Sequence, residues 1–277
     1  YLYTLSNAVV KLSPSGASLQ ISVAGDQWWN ASFILPAPNN VWTKGYYTDL
    51  SRAPFSNGNG GVDWGGEGRG CNTIAASMLV TNVVYVGLDL KAIDFTFDQH
   101  CEGGTPALHG AVHWDLTEQP PIPAPTAIPD GLWQPPAGAT PLFGNYLYIE
   151  SPSGDWIGQG QTLLLQQTVT QAMNITSNGG YLSFSIGGYN GTLQAMQGLS
   201  YLSVGYYPDL QRYPFNNAMR GGMEVDGPGR GCNTLKGWFV VDKVSWSGTT
   251  LKSIDARFEQ SCDGGPALHG RLRWSSV

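Results

Sequence analysis

The sequence has little charge. Asp, Glu, Lys and Arg make up 12% of its 277 residues, about half the usual share for a soluble domain. The 14 basic residues are outnumbered by 20 acidic ones, for a net charge of −6. Nucleic acid is therefore excluded as a partner, because phosphate binding needs a basic footprint. No apolar run approaches the ~20 residues of a membrane helix. No segment carries a sustained helical period with caps. There is no C-x-x-C, and no histidine at zinc-finger spacing, which excludes a zinc site of that kind. Nucleophile-elbow, H-E-x-x-H and P-loop motifs are missing too. The glycine-rich "GGEGRG" at Gly65 has no helix after it to present amides to a phosphate. No signal peptide is visible at Tyr1, so the chain is expected to be a mature form or a fragment.

What is present is glycine, aromatics and a repeat. Glycine accounts for 37 residues and aromatics for 12%, which argues against disorder. "GYYTDLSRAPF" from Gly45 returns as "GYYPDLQRYPF" from Gly205. "GRGCNT" at Gly68 returns at Gly229, and "IDFTFDQHCEGGTPALHG" from Ile93 returns as "IDARFEQSCDGGPALHG" from Ile254. Each copy closes on a tryptophan, Trp114 and Trp274. The chain is two copies of one domain.

Within each copy, "ASLQISVAG", "YLSFSIGG" and "LKAIDFTFDQ" alternate or run apolar over short spans. Gly, Asn and Ser clusters such as "SNGNGG" and "TSNGG" interrupt them. This predicts an all-β fold of two tandem antiparallel β-sandwich domains, jelly-roll-like, over residues 1–117 and 143–277. Residues 118–142 hold eight of the 18 prolines, Pro120 among them, and read as a semi-rigid linker.

Four cysteines allow three pairings. The duplication favours Cys71–Cys101 and Cys232–Cys262, one bridge per copy. Disulfides place the chain in an oxidising compartment, outside the cell or on its surface. Sequons at Asn30, Asn174 and Asn190 mark candidate glycosylation points.

The string "GDWIGQGQT" at Gly154, "GRGCNT" at Gly229, "FEQSCDGG" at Phe258 and "PALHG" at Pro266 resembles a module of bacterial secreted and cell-envelope proteins. Copy 1 carries all but the first element. The resemblance implies an accessory extracellular β-sandwich and supplies no reaction.

Candidate chemistry is sparse. His109 and His269 lie in "PALHG", with the duplicated carboxylates Asp94/Asp255 and Asp98/Glu259 nearby in sequence and, by their spacing, on one strand face. A solvated strand face explains them without catalysis, and the chain is expected not to be an enzyme. Asp63 and Glu67 in copy 1, and Glu224 and Asp226 in copy 2, precede "RGC" and are candidate calcium ligands, with Asp49/Asp209 as further donors. The simpler expectation is that Arg69 and Arg230 neutralise these acids. Trp28, Trp29, Trp42 and Trp64 have no tryptophan counterpart in copy 2 and are candidate sugar-stacking residues. Aromatics kept in both copies, Trp114/Trp274, Tyr46/Tyr206, Tyr47/Tyr207 and Phe55/Phe215, are expected to serve the shared fold.

The copies differ at their beginnings. Gly144–Thr162 has no counterpart in copy 1, unless "YLY" at Tyr1 is the match of "YLY" at Tyr146. A missing first strand leaves an unpaired edge. A segment before Tyr1, the linker, or a strand from another subunit are the candidates to cover it. The expected function is a non-catalytic extracellular structural or adhesive protein, self-assembling through edge strands. The alternative is a carbohydrate-binding module recognising surface glycan, with or without calcium.

Overall fold

The computed structural model describes residues 1–119 and 121–276, and every regular element among them is a β-strand. Pro120, one of the linker prolines, and Val277 lie outside the described residues. The chain divides into two compact units, Tyr1–Pro121 and Ile122–Val277.

Unit 1 contains β1 (Val9–Ser15), β2 (Ser18–Ala24), β3 (Trp28–Ile34), β4 (Gly45–Arg52), β5 (Gly61–Gly66), β6 (Ile74–Val86), β7 (Asp89–Cys101) and β8 (Ala107–Asp115). They form one sheet in the order β1-β2-β3-β5-β4-β6-β7-β8. Among the described residues of this unit, only β4 and β5 pair parallel.

Unit 2 contains β9 (Tyr146–Glu150), β10 (Thr162–Gln166), β11 (Asn174–Asn178), β12 (Tyr181–Ile186) and β13 (Tyr189–Gln194). It continues with β14 (Gly205–Arg212), β15 (Gly222–Asp226), β16 (Leu235–Ser247), β17 (Thr250–Cys262) and β18 (Ala267–Ser275). The sheet order is β10-β9-β18-β17-β16-β14-β15-β13-β12-β11. From β11 to β18 it matches unit 1 strand for strand. The β9–β10 hairpin is added beyond β18.

Period-2 alternation builds each core. In β2, Leu19, Ile21 and Val23 are buried while Gln20 and Ser22 face outward. In β12, Leu182, Phe184 and Ile186 are buried between Ser183 and Ser185. The β6–β7 and β16–β17 hairpins turn at Gly87 and Gly248, both with positive φ. Gly110 and Gly270, the last residue of "PALHG", leave room for the Phe97 and Phe258 rings to lie across the neighbouring strand, where a Cβ would collide.

Where the sequence predicts a spacer, residues 122–142 lie strapped along unit 2. Thr126 and Tyr206 exchange backbone hydrogen bonds of 2.9 Å each. Arg257 donates to the carbonyls of Leu132 and Trp133, and Arg273 to that of Leu142. The Trp133 ring stacks on His269 at 4.9 Å. The reason is chemical: a proline-rich chain has few N–H donors of its own, and these arginines satisfy its carbonyls.

Candidate functional site

The loop after β5, or β15, is clamped alike in both units. Cys71 bridges Cys101 and Cys232 bridges Cys262, the pairing that the duplication favours. Two disulfides are compatible with an oxidising, extracellular setting. Glu102, one residue past Cys101, accepts the backbone amides of Asn72 and Thr73. Asp263 accepts those of Thr234 and Asn233 at 2.7 and 3.3 Å. These N–H bonds hold both carboxyls below the usual carboxylate range. "GRGCNT" and "C-E/D-G-G" are thus two halves of one structural clamp.

Gln99 and Gln260 were not singled out by sequence reasoning. The Gln260 side chain accepts the Val225 N–H and donates to the Val225 carbonyl, both at 2.7 Å. Gln99 does the same to Trp64 at 2.8 and 3.0 Å. Each amide imitates a strand pairing between β7 and β5, or β17 and β15, which are not neighbours in the sheet. Their presence in both copies of "FDQ/FEQ" was the available signal.

The acidic residues are engaged by other partners than expected. Arg52 reaches Asp63 at 3.3 Å and Arg212 reaches Glu224 at 2.8 Å. Parallel pairing of β4 with β5 sets Arg52 beside Val62, next to Asp63. Arg69 instead stands over the Trp29 ring at 4.9 Å, and Arg230 donates to the Ile157 carbonyl at 2.9 and 3.0 Å. Glu67 accepts the Trp28 N–H at 2.8 Å. Thr48 donates to Asp49 at 2.9 Å. Asp226 differs: its Oδ1 is buried with no hydrogen-bond partner. Burial, and then Glu224, push its carboxyl up to about 6. Among the described residues no three His, Cys, Asp or Glu side chains gather into a metal-holding group. Asp63, Glu67 and Glu224, offered as calcium ligands, each already serve the protein.

Asn30, Asn174 and Asn190 are all exposed, on the outer faces of β3, β11 and β13. The sequons follow from strand alternation: Asn and the Ser or Thr two residues later face the same way. Gln20 donates to Ser32 at 2.8 Å and Asn174 to Ser185 at 3.3 Å across this polar face.

The repeated histidines sit beside carboxylates. His109 pairs with Asp98, and His269 Nε2 with Glu259 at 2.8 Å. His113 pairs with Asp94 and, at 3.1 Å, with Glu118. Hydrogen bonds to those two carboxylates raise the His113 pKa, and His113 in turn lowers that of Asp94. Asp255 receives Arg271 at 2.8 and 2.9 Å. Across the sheet, the row in unit 2 reads Trp238, Glu259, His269. The corresponding unit 1 row reads Ser77, Asp98, His109, with the carboxylate between the other two.

The four tryptophans do not share a surface. Trp42 is buried at 1% exposure, so its ring offers no stacking face. Trp29 and Trp64 are half-buried, 6.5 Å apart, and continue inward to Phe97. Only Trp28 is exposed. Among the repeated aromatics, Tyr47 and Tyr207 donate to the carbonyls of Thr43 and Ser203 at 2.9 Å and do serve the fold. Tyr46, Phe55 and Phe215 are exposed instead.

The sharpest asymmetry is at β8. In unit 2, β18 pairs antiparallel with β9, His269 opposite Glu150 through Arg273 opposite Tyr146. The loop between β9 and β10 then reaches inward. Asp155, buried, accepts the Gly158 N–H and Ser151 hydroxyl at 2.6 and 2.7 Å and folds the turn. That turn seats Ile157 in the core and lets Trp156 donate to the Gly231 carbonyl at 3.1 Å. Among the described residues of unit 1, no strand covers β8, and Tyr1–Tyr3 forms none. The "YLY" at Tyr1 is therefore not the counterpart of Tyr146 in β9. Tyr1 and Tyr3 lie instead against Trp29. Leu108 in β8 is 42% exposed, and Leu268 at the same repeat position is 0% exposed.

The chain matches no family model, no curated protein and no solved structure. No helix among the described residues is long and apolar enough to cross a membrane.

Proposed function

We propose that this chain is a non-catalytic extracellular structural protein that assembles through its sheet edges. Its two units are read as tandem jelly-roll-like β-sandwiches, joined through residues 118–142. The uncovered β8 edge carries the reading. The same repeat position in unit 2 is filled by β9, so the repeat itself indicates what belongs there: an extended strand whose side chains meet Leu108 and Val112. A second copy supplies one from its own sheet edge, β10. Strand addition gives main-chain hydrogen bonds for affinity and side-chain alternation for register. Pairing β8 of one chain with β10 of the next is a head-to-tail contact, which does not close on itself and yields a polymer.

The extracellular placement draws on the two disulfides. The non-catalytic reading draws on the histidine rows, where the unit 2 row holds no nucleophile and the unit 1 row has Ser77 and His109 on opposite sides of Asp98. The reading needs no metal.

Light scattering and negative-stain imaging over a concentration series test the proposal. The expected result is mass that grows with concentration and ordered polymers. Leu108→Lys places a charge at the edge, a device that blocks strand addition. It is expected to leave single chains with an unchanged melting temperature. A wild-type chain that stays single at every concentration overturns the proposal, as does a Leu108→Lys variant that polymerises normally.

A further inference from the structure

Repetition at exposed positions is informative, because packing does not explain it. In "GYYTDLSRAPF" and "GYYPDLQRYPF", Leu50/Leu210 are buried and their identity follows from the core. Phe55 and Phe215 are 69% and 74% exposed, yet both copies keep them. Each ring rests on an arginine, Arg52 at 5.6 Å and Arg212 at 5.4 Å. Each arginine is in turn fixed by a carboxylate, Asp63 or Glu224. The ring is therefore held on one face and open on the other. In the same repeat, Asp49 and Asp209 adopt positive φ of 58° and 51° where β4 and β14 shift register. A side chain rarely adopts that conformation, and both copies hold it. In unit 2, Asp209 lines the same surface as Phe215.

In unit 2 this surface becomes a hollow of about 720 Å³, lined by Tyr206, Asp209, Arg212, Phe215, Lys236 and Trp238 among others. Tyr206 and Trp238 stand 6.0 Å apart in its wall. Unit 1 has Ala75 and Ser77 at the positions of Lys236 and Trp238. We infer that the unit 2 hollow is a binding site for a neutral oligosaccharide, with Phe215 as stacking platform and Asp209 and Lys236 as acceptor and donor for hydroxyls. A sugar ring has an apolar C–H face for an aromatic ring and a rim of groups that both donate and accept. The hollow offers aromatic rings together with side chains of both signs, and its volume lies in the range of small-ligand sites. None of the four tryptophans suggested by sequence takes part. The site is independent of assembly through β8.

The test is titration of the full chain with cellohexaose, maltohexaose, chitohexaose and mannohexaose, read by calorimetry and by tryptophan emission. At least one is expected to bind at one site per chain and shift the emission, since Trp238 lines the hollow. Phe215→Ala is expected to weaken binding by about tenfold or more, the loss of one stacked ring. Phe215 is exposed, so the melting temperature is expected to hold. Asp209→Asn weakens binding less, and Phe55→Ala leaves it unchanged. Leu108→Lys, which addresses assembly only, binds as wild type does. Absence of binding by all four sugars at millimolar concentration overturns the inference, as does binding that survives both Phe215→Ala and Asp209→Asn.

Discussion

Leu108 and Leu268 occupy the same place in the same repeated "PALHG" run, yet one meets solvent and the other is sealed in a core. The strands themselves do not account for this. In unit 2 the β9–β10 hairpin adds Leu147, Ile149 and Ile157 to the core. Unit 1 has no such hairpin among its described residues and substitutes bulk. Trp29 and Trp64 stand where unit 2 has Tyr189 and Val225, and Arg69 finds the Trp29 ring where Arg230 finds the Ile157 carbonyl. Trp29 and Trp64 are thus a packing answer to a missing hairpin. They pack against the core, while among the described residues the outer edge of β8, the side away from β7, has no strand partner. The two copies of one domain thus differ in packing where the neighbouring strand is present in one and not in the other.

The largest effect expected from this difference is at Arg257. It is 5% exposed and holds Asp242 at 2.8 Å twice while gripping the strap at Trp133. Unit 1 has Thr96 and Thr81 at these positions. Arg257→Ala strands Asp242 and is expected to cost about 3–5 kcal/mol. Hydrogen exchange read by peptide is expected to show faster exchange over 122–142 and unit 2, with unit 1 unaltered. Next comes the leucine pair itself. Leu268→Ala is expected to cost about 2–5 kcal/mol in denaturant unfolding, and Leu108→Ala to stay within about 0.5 kcal/mol. Equal costs would mean that β8 is covered in solution.

Smaller effects separate the units by pH. The Asp226 carboxyl sits at about 6, above an ordinary 3.8. Its protonated form is the one the fold favours, so the contribution of this group is fully present below pH 3.8 and is lost as pH rises through about 6. Asp226→Asn is expected to abolish that decline and stabilise unit 2 near neutral pH by on the order of 1 kcal/mol, allowing for solvent screening. Unit 1 has Gly65 there and is expected to show no such slope. His113 acts in unit 1 alone, since Arg273 takes its place in unit 2. Its raised pKa means a contribution present below its ordinary 6.5 and lost as pH rises through the folded value. His113→Ala is expected to flatten that slope, worth under about 1 kcal/mol because the pair is exposed. Peptide-resolved exchange across a pH series checks both.

Much of the fold was legible in the sequence. Alternation over "SLQISVA" and "YLSFSI" marked strands and their buried faces, since side chains on a strand point to opposite sides whatever the neighbours. Duplication paired the cysteines. The candidate site was less legible. Arg52 and Arg212 reach Asp63 and Glu224 because β4 pairs parallel beside β5, and β14 beside β15, a long-range event. Gln99 and Gln260 bridge strands that are not sheet neighbours. Phe55 and Phe215, repeated aromatics expected to serve the shared fold, lie on the surface.

By itself the sequence determined an all-β chain in two copies, one disulfide in each. These follow from local alternation, composition and repetition, which depend on nearest neighbours along the chain. Only the tertiary structure decided that β9 seals β18, that β8 stays open, that the proline-rich segment straps onto unit 2, and that Phe215 is held face-up by Arg212. Edge or interior, covered or free, is a property of which strand arrives from far along the chain, and period-2 alternation is the same in either case.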